Sequence, residues 1–195
     1  MHWTNLVRTI QPTQHPISLA QAKAHLRVDH DEDDDLIEGL IATAVATIEG
    51  PTGAGLALLT QTWRQSFDRP CPGDGVTLPL GPIQAVTAVA YVDDEGSIQT
   101  LNDWSFEPDI APGRVYPAYG RSWPEMRSQP GALRVTYRVG YGDDPDDVPA
   151  DLRHALLLLV GHYYEHREAA HPDDLKAIPF GASAILDRYR VGFFG

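Results

Sequence analysis

Seven apolar residues, Leu36, Ile37, Leu40, Ile41, Ala44, Val45 and Ile48, recur in pairs four apart and draw one continuous stripe that stops at Gly50-Pro51. Residues at that spacing share a helix face, so the pattern predicts an amphipathic helix behind the acidic run "DHDEDDD". Just upstream, Ser18 followed by Gln21 is a capping-box pair, opening a short helix "LAQAKAHLRV" with Leu19, Ala22 and Leu26 on one side. Late in the chain, Pro149 suits a first helical turn, and Leu152, Leu156, Leu159 and Tyr163 form a stripe behind it. Leu157, Leu158 and Val160 make that segment apolar nearly all round, which predicts the central helix of a bundle. A last helix, from Pro179 to about Arg190, carries Ala182, Ile185, Leu186 and Tyr189.

From about Leu58 the period changes to two, with breakers between the runs "TQTWRQSF", "VTLPL", "IQAVTAVAYV", "SIQTL", "WSFEP" and "ALRVTYRVG". In the last, Leu133, Val135, Tyr137 and Val139 alternate with Arg134, Thr136 and Arg138, the pattern of a half-buried strand. "DDEG", Asp93 to Gly96, reads as a hairpin turn. The fold expected is therefore α+β: mainly an α-helical bundle over residues 17–56 and 143–190, with a small antiparallel β region inserted at 57–142 and a C-terminal arm at 191–195.

Charge narrows the functional classes. The chain carries 27 acidic and 15 basic residues for a net charge of -12. That balance disfavours general affinity for phosphate backbones or anionic lipid. Cys71 is the only cysteine, so no internal disulfide can form. The opening residues have no apolar signal region and no apolar run reaches the ~20 residues of a spanning helix, so the expectation is a soluble chain made in the cytoplasm, with no membrane partner.

One motif has the look of chemistry. His162, Glu165 and His166 spell H-x-x-E-H, whose histidines lie four apart on one helical face, as two zinc ligands require, with the glutamate available as a base. A small metal-dependent hydrolase would need a third ligand, for which His171, Asp173 and Asp174 are the nearest candidates, beyond a helix end marked by Pro172. The competing reading is histidines at a helix C-terminus, where polar side chains suit the open carbonyls. The run Asp29, Asp31, Glu32, Asp33, Asp34, Asp35 alternates like a calcium loop, but it has aspartate at the sixth position and leucine at the twelfth, and so can neither turn nor close around the ion. No phosphate loop, dinucleotide fingerprint or serine-nucleophile motif is present, and no cofactor is expected.

The ordered set "ISLAQAKAHLRVDHDEDDDLIEGLIATAVATIEGPTG", "LTQTW", "VTLPLGPIQAVTAVAYVDDEG", "LRVTYRVGYG", "VPADLRHALLLLVGHYYEHRE" and "IPFGASAILDRYRVG" resembles the head-tail connector (adaptor) proteins of tailed phages and gene transfer agents, in the branch with a β insertion. The resemblance runs from about Ile17 to Arg190 and assigns "HYYEHRE" to an ordinary helix-end pattern. It implies a structural virion component without enzymatic activity, catalytic residues or metal. It further implies a ring, typically of 12 copies, between the portal of the head and the stopper or tail, with DNA passing through the channel without specific binding. On this resemblance Arg188, Tyr189, Arg190, Phe193 and Phe194 are candidate portal-binding residues, and Asp29 to Asp35 an acidic channel lining or solvated surface. Besides the metal-dependent hydrolase, the other reading open at this point is a DNA-packaging accessory protein.

Overall fold

In a computed structural model, which describes residues 5–50, 53–68, 70, 75–107, 112–166 and 179–190, the chain forms two compact units. A helical unit takes Pro12–Leu59 and Tyr141–Arg190; a β unit takes Thr60–Gly140 together with the segment up to Gln11.

The helical unit contains α1 (Leu19–Leu26), α2 (Asp34–Ile48), α3 (Ala150–Glu165) and α4 (Phe180–Tyr189). The capping box forms as the sequence predicts: the Gln21 N–H donates to Ser18 Oγ at 3.2 Å and the Ser18 N–H to Gln21 Oε1 at 2.8 Å. Arg27, in the left-handed region at φ 59°, closes α1. Asp34 and Asp35 occupy the first turn of α2, where carboxylates complement the positive end of the helix. Helix α3 packs against α1, α2 and α4, which accounts for its almost all-round apolarity. Leu152, Ala155, Leu156, Leu159 and Val160 are buried there against Ile37, Ile41, Ala44 and Ile48 of α2 and Ala182 and Leu186 of α4. Each large side chain removed from water contributes about 1.5–3 kcal/mol before ordering costs. At the end of α2, buried Glu49 accepts the Leu58 N–H on Oε1 at 2.9 Å, fixing the turn through which the chain leaves the unit.

The expectation of a mainly helical bundle with a small β region is overturned. Eight strands form two antiparallel sheets among the described residues, so the fold is mixed α+β with a sizeable β part. Strands β1 (Leu6–Ile10), β2 (Gln61–Phe67), β4 (Ile83–Val92), β5 (Ile98–Leu101) and β8 (Leu133–Val139) make a five-stranded sheet in the order β1-β2-β8-β4-β5. Strands β3 (Val76–Thr77), β6 (Trp104–Glu107) and β7 (Arg114–Pro117) make a three-stranded sheet in the order β3-β7-β6. The helical stripes are long and regular and dominate a periodicity count. The strands are short or bulged, with register shifts at Ile83/Ala85 and Val86/Ala88, which blurs their alternation.

Central strand β8 keeps its predicted alternation, burying Leu133, Val135, Tyr137 and Val139 and turning Arg134, Thr136 and Arg138 to the opposite face. The predicted turn at "DDEG" joins β4 to β5, with the Gly96 N–H donating to the Asp93 carbonyl at 2.9 Å and Gly96 at φ 90°, a conformation glycine adopts without strain. None of the helices, among the described residues, is long and apolar enough to cross a membrane.

Candidate functional site

The H-x-x-E-H motif sits at the last turn of α3. Helix α3 ends at Glu165 and His166 is its C-cap. His166 Nδ1 lies 2.9 Å from the His162 carbonyl oxygen, so this ring nitrogen donates its proton to the helix end, and the two imidazoles lie tilted at 38° with centroids 4.6 Å apart. His162 is half-buried, while Glu165 and His166 are exposed. No three histidine, cysteine or carboxylate side chains gather to hold a metal among the described residues. His171, Asp173 and Asp174 lie outside those residues.

The acidic run is built into the start of α2. Lys23 of α1 reaches Asp31 Oδ1 at 2.7 Å and Asp34 Oδ1 at 2.6 Å. The Tyr164 hydroxyl of α3 donates to Asp33 Oδ2 at 2.6 Å. Asp31, held by the Lys23 ammonium, is pulled below the usual carboxylate range, and Lys23 is raised in turn. Asp29, Glu32 and Asp35 are exposed. The run therefore divides into Asp31, Asp33 and Asp34, tied to α1 and α3, and three carboxylates facing water.

Near the C-terminus, Arg188 Nη2 meets Asp151 Oδ2 at 2.9 Å and the Tyr189 hydroxyl donates to Asp151 Oδ1 at 2.7 Å. Asp151 thus clamps the end of α4 to the beginning of α3. Arg190 makes a looser pair with Asp187 at 3.4 Å. Phe193 and Phe194 lie outside the described residues.

Tyr141 stands in the same neighbourhood. Burial pushes its hydroxyl up to about 12, with Tyr189 and Asp151 adding to the shift. A raised folded-state value stabilises the fold fully below the unfolded tyrosine value of ~10, and that contribution is lost as pH climbs from ~10 toward 12. Urea midpoints should therefore fall between pH 9.5 and pH 11.5, and Tyr141→Phe should lessen that fall, leaving the share of Tyr137, which burial also raises, and of Tyr189, raised by its bond to Asp151.

Two features escaped sequence reasoning. A cavity of about 570 Å³ in the helical unit is lined by Gln14, His15, Ser18, Glu38, Asp144 and Asp146, which come from segments more than 100 residues apart. On the five-stranded sheet, Arg64, Arg134 and Arg138 share one face: Arg64 pairs across with Thr136, whose two neighbours on that face of β8 are Arg134 and Arg138.

Likenesses to known proteins specify the scaffold that carries these elements. The phage gp6-like head-tail connector protein family matches residues 16–99. The fold is similar to a chain in the neck of an empty gene transfer agent (GTA) particle computed with C6 symmetry, with TM-score 0.79 and 27% identity over 96% of this chain and 95% of that one. A chain in the virion of a native GTA particle gives 0.77 and 27% over the same shares. One in the neck of a native GTA particle computed with C12 symmetry gives 0.70 and 28%, over 94% of this chain and 96% of that one. No curated protein matches. The chain is a structural component of a phage-like particle. Within that class it is a head-tail connector protein.

Proposed function

We propose that twelve copies of this chain form a ring at the head-tail junction, seated under the portal and presenting a platform to the stopper or tail, without enzymatic activity. The observation that carries this reading is the likeness, over at least 94% of both chains, to chains in GTA particles, two of them in necks computed with C6 and C12 symmetry. The chain is made in the bacterial cytoplasm and ends in the particle.

Twelve copies at -12 each carry about 144 net negative charges, and an acidic wall repels the phosphates of passing DNA. Asp29, Glu32 and Asp35, with Asp31 exposed beside them, are the carboxylates of the acidic run available to serve as such a wall. The C-terminal arm, residues 191–195, is the portal-binding element, with Phe193 and Phe194 as anchors. Asp151 sets its point of departure by holding Arg188 and Tyr189. Each arm needs only modest affinity, because a ring of arms engages together.

Cryo-electron microscopy of particles carrying the wild-type chain or a variant lacking Val191 to Gly195 tests the reading. The wild type is expected as a ring between portal and tail. The truncated chain should keep the wild-type melting temperature and be absent from filled heads. A truncated chain that still joins heads normally removes the docking role of the arm, and a wild-type chain missing from the neck removes the ring.

A further inference from the structure

The net charge of -12 is unevenly divided. The helical unit's segments contain 18 acidic and 7 basic residues, a net of -11; the rest of the chain contains 9 and 8, a net of -1. Within the β unit the distribution is more uneven still. Arg64 lies diagonally across the β2/β8 ladder from both Arg134 and Arg138, at the roughly 7–8 Å expected of diagonal neighbours. Val7 of β1, Thr62 and Ser66 of β2, and Ala85, Ala88 and Ala90 of β4 are paired across the same face, and none of these positions is acidic. Arg64 and Arg138 are exposed, and Arg134 is half-buried with its Nε 3.4 Å from the Gly131 carbonyl. Three like charges this close repel one another, and small neighbours leave the guanidinium groups open to an anion.

The helical unit carries the complement. In its 570 Å³ groove the amide of Gln14 is spent on the Asp143 carbonyl and Ser18 on the capping box. Asp146 is paired with Arg153, and Asp144 accepts the Asp146 N–H. Glu38, Asp144 and Asp146 nonetheless leave the groove with three carboxylates against one imidazole, His15, and buried Ile17 and Ile41 are among its apolar lining.

We propose that the arginine face of the β unit, Arg64, Arg134 and Arg138, is a docking surface for the acidic groove of the helical unit of a second copy of this chain. The proposal rests on the ring reading above. A ring with rotational symmetry joins each copy to the next through two different patches, one giving and one receiving, and an arginine face with an acidic groove is such a pair. Guanidinium forks meet carboxylates in bidentate geometry, and charge complementarity fixes which surface meets which. Phosphate would satisfy the same forks. A copy with a net charge of -12 repels duplex DNA at long range, whereas the neighbouring acidic unit is held at ring concentration and neutralises as it docks.

A charge swap tests this in the host that makes the particles. Arg64→Glu with Arg138→Glu alters exposed positions on one side of the contact, and Glu38→Arg alters an exposed position on the other. Each variant alone is expected to melt like wild type and to appear in purified particles at roughly tenfold or more below wild-type copy number. Co-expressed, the two should return to near wild-type number, because copies alternating around an even-numbered ring meet through one swapped and one native contact in turn. Normal incorporation of either variant alone, or no rescue on co-expression, overturns the proposal. So do normal necks together with duplex binding by the purified full chain that is salt-sensitive and lost in the Arg64→Glu, Arg138→Glu variant, which would assign the face to DNA. Wild-type chain absent from particles would remove the ring and the docking surface together, whereas a wild-type ring with unaffected variants removes the docking surface alone.

Discussion

Replacing Leu156 by alanine is expected to cost the helical unit ~2–5 kcal/mol, the range for deleting a fully buried leucine whose surroundings cannot close over the gap. Leu156 has no exposed surface and lies on α3, the helix that packs against α1, α2 and α4, so relaxation on one side opens space on another. Far-ultraviolet circular dichroism at the helix band during urea unfolding reads this loss. A change below ~1 kcal/mol would mean that α3 is not the centre of the unit.

The counterpart in the β unit is Tyr137→Ala, expected to cost ~3–5 kcal/mol, as for other buried aromatics cut back to alanine. Tyr137 has no exposed surface and sits on β8, flanked by Trp63 of β2 and Val86 of β4. Trp63, Trp104 and Trp123 all lie in the β unit, so their fluorescence follows its unfolding, while Trp3 lies outside the described residues. A shift of several kcal/mol in the fluorescence midpoint is expected of a sheet with a core of its own. A small decoration without a core would show almost none.

Features of this fold that depend on neighbours in sequence were legible in it. The Ser18–Gln21 cap, the α2 stripe, the Asp93–Gly96 turn and the alternation of β8 each follow from residues within about ten positions of one another. Strand β1 was not legible: Leu6 pairs with Gln65, and five residues of alternation at an edge carry little pattern without that partner. Strand β7 spans only Arg114–Pro117 and ends on a proline, a weak strand signal by itself. The same limit applied to the charged surfaces. The sequence placed Arg134 and Arg138 on one face of β8, but adding Arg64 required the β2/β8 register. The groove required Glu38 to meet Asp144 and Asp146 across more than 100 residues. The H-x-x-E-H motif posed the opposite problem, since its spacing fits two chemistries; what the fold adds is that His166 is the C-cap of α3 and bonds the His162 carbonyl.

Because the chain visits the helical unit twice, with β2 through β8 made in between, order of synthesis has consequences for folding. Helices α1 and α2 are complete by Ile48, yet their packing partner α3 begins only at Ala150. At ~5–20 residues per second, the apolar faces of α2 wait on the order of 5–20 s for cover during translation. Strand β2 waits about two-thirds as long for β8, its neighbour at the centre of the sheet. Both units thus rely on long-range closure, which slows folding and leaves newly made chains open to association with one another. The carboxylates ahead of α2 are made just before the stripe they precede, and their like charge opposes the close approach of one unfinished chain to another.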